Sequence, residues 1–437
     1  MNRNFAFTAI VVLSFVLPAC AQFSGAGISG GSDQAMTAPS AVRIGGDSVA
    51  FTSEAERSNY LLGGVSVEGA YNDNLFASNP AVGDATYTIS PYLAFDIARS
   101  RLRWNLNYRP GVTLYQRFSQ SDQSEHAFST SLQYMLSPHV TLSVADTLAK
   151  SPSYTNIISP STVDSGSTTL QSPSFLVIPP LTSTLINNGS GQITYQFARN
   201  TMVGGGGNSS ELRFLDSAQA VGLFDSSERG GNLFYAHRIA ERHYLGVNYT
   251  FADLVTHPIE VDTKVQTATV FYSFYLSPRI SFSAFGGADH SNTQGGLLPS
   301  LNTWSPTEGG GINVQGMQNS VAFTFSRSIN PGGGLESAVH SYSTNVAYRH
   351  HFSTHLNGGL QASYSNSTLL QLGVGSGGKI LTAGASLERQ LGTHWNAELQ
   401  YSRLHQDYKN IPSVSDSPDT DRASITVSYQ FQKALGR

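Results

Sequence analysis

The stretch Tyr87–Phe118 repeats with a period of two. Leu102, Trp104, Leu106, Tyr108, Val112 and Leu114 hold alternate positions, and Arg103, Asn105, Asn107, Arg109, Thr113 and Tyr115 stand between them. Upstream, Tyr87, Ile89, Leu93 and Phe95 alternate with Thr88, Ser90 and Asp96, and a tight reversal at Ala98–Arg101 joins the halves. Successive side chains of a strand point to opposite faces, so each half has one oily and one polar face. Both exceed the usual soluble strand of about 5–6 residues and suit the roughly 9–11 tilted residues of a membrane-spanning strand. Lipid outside and water inside is the polarity of a transmembrane barrel.

Composition points the same way. Charged residues are 12% of the 437, about half the roughly 25% usual in globular chains, while 20 Tyr, 23 Phe and 42 Gly are present. Beyond the N-terminal segment there is no apolar run of roughly 18 residues, so helical spans are not expected. The net charge of -4 and the lack of a long basic block argue against nucleic-acid binding.

Residues 1–21 read as a secretory signal peptide: Arg3 supplies the positive start, Phe5–Leu17 the apolar core and Ala19-Cys20-Ala21 a small-residue cleavage site. Cleavage after Ala21 removes Cys20, the single cysteine; a lipoprotein reading of Leu17-Pro18-Ala19-Cys20 would leave it lipidated. Either way no disulfide forms within the chain. Residues 22–58, rich in Gly, Ser and Ala, read as a flexible periplasmic lead, with a lumen plug as the weaker alternative. Residues 59–431 carry the barrel pattern, and 432–437 form a short tail after the terminal aromatic Phe431.

The alternation predicts about 18 antiparallel strands, from 59–72, 84–98 and 101–118, through 278–290, 305–316 and 336–350, to 393–406 and 419–431. Tight turns such as Ser137-Pro138-His139, Ala240-Glu241-Arg242 and Gln390-Leu391-Gly392-Thr393-His394 alternate with longer links such as 73–83, 151–186 and 407–418. A short link near 119–121 breaks the rule. Short periplasmic turns and longer outer loops are the habit of outer-membrane barrels. Trp395, Tyr275, Phe197, Tyr134 and Phe95 lie near turn ends, where an interfacial aromatic girdle belongs.

At the end of the first strand, Gly69-Ala70-Tyr71-Asn72-Asp73-Asn74-Leu75-Phe76 carries a Tyr-x-Asp-Asn-aliphatic-Phe element. This element and the following strand with Pro91 resemble the family of outer-membrane beta-barrel porins of the second type. The likeness covers most of 59–431, though the sharp motif is about eight residues long. The resemblance implies a barrel associated with polysaccharide export, working with a periplasmic export protein and passing polymer.

Alternation places Glu68, Asp96, Arg103, Arg109, Arg117, Arg349, Glu388 and Glu398 toward the lumen as pore-lining candidates. Rings of charge select ions or orient charged solutes; the plainer reading is that these charges pair across the wall. Tyr92 and Tyr115, also inward, could stack on sugar rings. The link 151–186 holds the apolar run Phe175, Leu176, Val177 and Ile178, which would fold inward as a constriction loop rather than rest in water. Val203-Gly204-Gly205-Gly206-Gly207 lacks the Gly-Lys-Ser/Thr of a phosphate loop and reads as a bend or close packing. His350, His351 and His355 flank a tight turn and read as turn residues rather than metal ligands. His290-Ser291 and His340-Ser341 echo hydrolase pairs, but neighbours on a strand face opposite ways and no orienting third group is evident. No cofactor and no enzymatic activity are expected. The leading expectation is an outer-membrane polysaccharide conduit. A general diffusion porin for small solutes is the alternative, and an adhesin, structural barrel or lipid-modifying enzyme follow.

Overall fold

A strand with two different faces can bury its backbone polar groups in lipid only if it pairs on both edges, which forces a closed sheet. The computed structural model closes one. It describes residues 59–78, 80–151, 182–216, 220–277, 279–295, 300–370, 377–408 and 419–435. The strands in chain order are β1 (Asn59–Asn72), β2 (Asp84–Ala98), β3 (Leu102–Tyr115), β4 (Gln123–Ser137), β5 (Val140–Ser151) and β6 (Thr184–Ala198). Then come β7 (Thr201–Phe214), β8 (Asp225–Ala240), β9 (His243–His257), β10 (Val261–Ser277), β11 (Ile280–Gln294) and β12 (Leu301–Gln315). The last are β13 (Asn319–Asn330), β14 (Val339–Ser353), β15 (Leu356–Leu369), β16 (Gly377–Gln390), β17 (Trp395–Tyr408) and β18 (Asp419–Ala434). Each pairs antiparallel with its chain neighbours, and β1 also pairs with β18 from Tyr60↔Ala434 to Asn72↔Arg422. The result is a single 18-stranded up-and-down transmembrane barrel. Among the described residues no helix is long and apolar enough to cross a membrane.

The outward rows are apolar. Val65 and Val67 on β1, Leu245, Val247 and Tyr249 on β9, and Ile425 and Val427 on β18 are all exposed. A 14-residue strand such as β1 rises about 35 Å at roughly 3.3 Å per residue and 40° tilt. The apolar band needs only about 25 Å, so the strands project beyond it. On the long-link side the outward rows accordingly turn ionic: Arg403 meets Asp419 at 3.2 Å and Asp421 at 3.6 Å, and Lys264 meets Asp262 at 3.6 Å.

Trp395, Phe197 and Tyr134 stand exposed near the short turns, as a girdle requires. Tyr275 does not join them. It shares the inward parity of the buried Phe271 and Ser273 and packs edge-on against Tyr244 with ring centroids 5.6 Å apart. The short link near 119 holds a single 3-10 turn, Ser119–Ser121. Phe431 is not the last strand residue, since β18 runs on to Ala434.

Candidate functional site

The lumen wall has two chemically different arcs. The first runs from β14 to β18 and through the closure to β3. Register puts Glu388 opposite Glu398 on neighbouring strands. Glu398 has Glu388, Glu68, Arg349 and Arg109 as its charged neighbours. Glu68 is in turn ion-paired with Arg422, whose side chain is almost fully buried. Arg109 lies over the Tyr92 ring at 5.6 Å, and the Tyr92 hydroxyl donates to Gln430 Oε1 at 3.4 Å. Glu68, Arg109, Arg349, Glu388 and Glu398 therefore share one patch of wall.

Asp96 and Arg103 sit on the same arc close to the β2–β3 turn, opposite Asn105 and Ala98 respectively. Arg117 lies beyond the end of β3, where its N–H donates to the Asp84 carboxylate at 3.2 Å and its guanidinium to Gly83 O at 3.2 Å. It belongs to the rim rather than to the wall. Tyr115 is buried against Leu75, which removes it from any passing solute.

The second arc, β7 to β12, carries fewer charges on its inward rows, among them Glu228, which accepts from Asn208 Nδ2 at 2.8 Å, and Asp289. Its inward row is hydroxyl-rich: Thr263 bonds Thr293 at 3.1 Å, and Thr267 donates to Asp289 at 2.6 Å. Nearer the short turns the arc is aromatic. Met202, Phe234, Ala236 and Phe271 form a buried cluster against the lumen side, with Tyr244 and Phe285 packed on it. The rings of Phe234, Phe271 and Phe285 fill the space where Gly204, Gly246 and Gly309 would carry a β-carbon. The glycine run at 204–207 thus serves close packing, as its sequence suggests.

The outer mouth is narrowed by links that turn inward. Residues 331–338, between β13 and β14, place Leu335 among Val339, Ile380, Leu404 and Tyr408, all on lumen-facing positions. Ala338 packs with Leu254 and Val265 on β9 and β10. The link between β7 and β8 meets this segment: Phe224 N–H donates to Gly334 O at 3.0 Å, and Leu223 packs on the Leu335 cluster. Sequence reading missed this. Pro331-Gly332-Gly333-Gly334 reads as a turn, and the usable signal was the apolar Leu335, Ala338 and Val339 directly after it. The positive φ of Gly333 (59°) and Gly334 (107°) lets the chain double back there. The constriction candidates Phe175, Leu176, Val177 and Ile178 lie outside the described residues, as do residues 1–58.

The Tyr71–Phe76 element has a structural task. Asp73 N–H donates to Asp421 O at 3.1 Å, and Asp421 N–H returns a bond to Asp73 Oδ1 at 2.7 Å. Asn74 Nδ2 donates to Asp419 O at 2.8 Å and to Ser78 O at 3.1 Å, while Ser78 N–H donates to Asn74 Oδ1 at 2.9 Å. Leu75 and Phe76 pack inward on Tyr115 and Phe118. The element clasps the first strand to the last at the outer end of the closure.

The histidines do not converge. His350 Nδ1 faces Asn319 Oδ1 at 2.6 Å, His351 Nδ1 faces Asn357 Oδ1 at 2.6 Å, and His355 Nδ1 faces Gln390 Oε1 at 3.4 Å. His290 Nε2 contacts Asn302 Oδ1 at 2.7 Å on the outer face, whereas Ser291 is buried.

No protein-family model matches the chain, and no curated protein does. Among solved structures it is similar to Pseudomonas aeruginosa OccK2 (OpdF) in complex with glucuronate: 13% identity, TM-score 0.44, covering 87% of this chain and 98% of that one. It is also similar to Acinetobacter baumannii OccAB4 (10% identity, TM-score 0.43, 86% and 98%). The outer membrane protein opdK from Pseudomonas aeruginosa is similar too (11%, 0.43, 85% and 99%). Likeness at this level assigns no family and no substrate.

Proposed function

We propose that the protein is an outer-membrane channel for small hydrophilic solutes. The observation that carries this reading is the closed 18-stranded wall with apolar rows outside and a polar, partly charged inside. Barrels of roughly 16–18 strands enclose an aqueous path. On the first arc, Glu388, Glu398 and Glu68 stand beside Arg349 and Arg109. Mixed signs on one side of a passage orient zwitterionic or singly charged solutes rather than reject one sign outright.

The polysaccharide-conduit reading has less support. It rested on the Tyr71–Phe76 element, whose polar residues bind the seam and whose Leu75 and Phe76 pack on the wall, so they carry no information about cargo. A mouth narrowed by Leu335 and Leu223, with the Phe224 N–H bonded to Gly334 O, also suits a small solute better than a polymer. Nothing in the described residues points to a periplasmic partner.

The test is purified protein in liposomes, with swelling followed for neutral sugars, amino acids and oligosaccharides of increasing length. Swelling with the small solutes and none with the oligosaccharides is expected. Silence with every solute would remove the channel reading, and equal passage of long oligosaccharides would restore the polymer conduit.

A further inference from the structure

One place in the wall is not fully laced. β12 pairs with β11 from Leu301 to Val314, and β13 pairs with β14 from Asn319 to Asn330. The ladder between β12 and β13, however, ends at Glu308↔Arg327. Among the described residues, 301–307 therefore has no strand partner on its β13 side. Pro306 lies in that free stretch, and proline within a sheet is at home on an edge.

The free edge exists because β13 leaves the wall. Val321 and Phe325 are exposed and outward. By the strand period of two, Ile329 belongs to the same row. Yet Ile329 is 4% exposed and packs with Leu254 and Val265 on the lumen side. Between Arg327 and Ile329 the strand thus turns inward, and it carries the 331–338 link across the mouth. Arg327 sits at the bend, with its guanidinium 4.9 Å from the Tyr342 ring and its charge felt by Asp289.

The folded-in position has opposing costs and gains. Leu335 and Ile329 gain apolar cover in two clusters. Beneath them Asp289 is sealed at 0% exposure, and Asp289 Oδ2, Ser305 Oγ and Arg327 Nε are buried without hydrogen-bond partners. Buried polar atoms left unpaired, and backbone edge groups left unlaced, disfavour that position. A segment held by a few apolar contacts against several unmet hydrogen bonds is a two-position element.

We propose that the β13–β14 tip is a gate that opens by zipping onto β12. Continuing the present register would set Thr307 opposite Ser328, Pro306 opposite Ile329 and Ser305 opposite Asn330. Ile329 would then rejoin the outward row, Asp289 would regain water, and the 331–338 link would leave the mouth. The Thr307 hydroxyl already reaches Arg327 O at 2.9 Å, which places the first rung within reach. This rests on the channel reading.

The experiment is planar-bilayer conductance of the full chain carrying Ser305→Cys with Asn330→Cys, oxidised and then reduced. The expected result is a disulfide that forms in the membrane and raises mean single-channel conductance severalfold, reversed by reductant. A second variant lacking 332–336 should show the same raised conductance without redox dependence. Heat-modifiable migration on gels confirms that each barrel is folded. If the cysteines never link, or link without a change in conductance, the gate is wrong. If the wild-type chain already conducts as well as the 332–336 deletion, the gate is wrong while the channel stands. If the deletion is silent too, the channel reading falls with it.

Discussion

The two arcs of the lumen wall are built from the same strand geometry and solve different problems. On β14–β18 and β1–β3, carboxylates and guanidinium groups are gathered and partly paired, as in Glu68–Arg422. On β7–β12, Phe234, Phe271 and Phe285 cover glycines, many of the other inward positions are Ser or Thr, and the acids Glu228 and Asp289 are held by Asn208 and Thr267. The charged arc supplies a lateral field to the passage. The second arc supplies a packed, rigid surface against which that field is not cancelled. The same total of polar groups spread evenly around the ring would give neither.

The contrast can be broken most forcefully on the second arc. Phe271 is 4% exposed and shares its cluster with Met202 and Phe234. Phe271→Ala should lower the unfolding free energy in detergent by about 3–5 kcal/mol, read as a drop in denaturant midpoint. A loss under about 1 kcal/mol would mean that the aromatic floor is decoration rather than support. Arg422→Ala comes next on the charged arc. Its removal leaves Glu68 largely buried and close to Glu398, an unpaired carboxylate among acids. We expect a loss of about 3 kcal/mol. Adding Glu68→Gln to Arg422→Ala should recover much of that loss, because the stranded charge is then gone.

Function sharpens the same comparison. Arg349→Gln together with Arg109→Gln removes two cationic neighbours of Glu398 and leaves its acidic neighbours in place. Reversal potentials under a salt gradient should move toward the cation limit. Thr269→Val, on the second arc, removes a buried hydroxyl that has no hydrogen-bond partner and should leave the reversal potential where it is. Equal shifts from both variants would show that the field is not confined to one arc.

Much of this molecule is written in a period of two, and what escaped is what that period does not encode. β1 and β2 fall on their expected bounds. β11 and β12 run about four residues further toward the outside than expected, to Gln294 and from Leu301. There His290, Asn292 and Asn302 face outward above the lipid band, both faces are polar, and the alternation vanishes although the strand continues. Tyr275 was placed in the girdle by its nearness to a turn alone, although it shares the parity of Phe271 and Ser273, which face inward. Alternation alone puts Glu398 and Arg349 on the polar row of their strands. The meeting of Glu68 with Arg422, 354 positions apart, is not readable from alternation, since it depends on the register of closure. At Ile329 the period itself misleads: parity continued from Val321 and Phe325 says outward, and tertiary packing carries the residue inward.

The smallest effect isolates what burial contributes to a charge pair. Arg403 contacts Asp419 and Asp421 on the outer surface of β17 and β18, the strand pair whose inner surface carries Arg422. Its side chain is 52% exposed, against 8% for Arg422. Water and salt screen the exposed contacts, and holding long side chains in one geometry costs entropy. Arg403→Ala should therefore change the denaturant midpoint by no more than about 0.5 kcal/mol, and that small change should shrink further in high salt. The Arg422→Ala loss should persist in the same salt, because its partner is shielded by the wall. Similar losses from both variants, with similar salt dependence, would mean that the lumen is as wet around Glu68 as the outer surface is around Asp419.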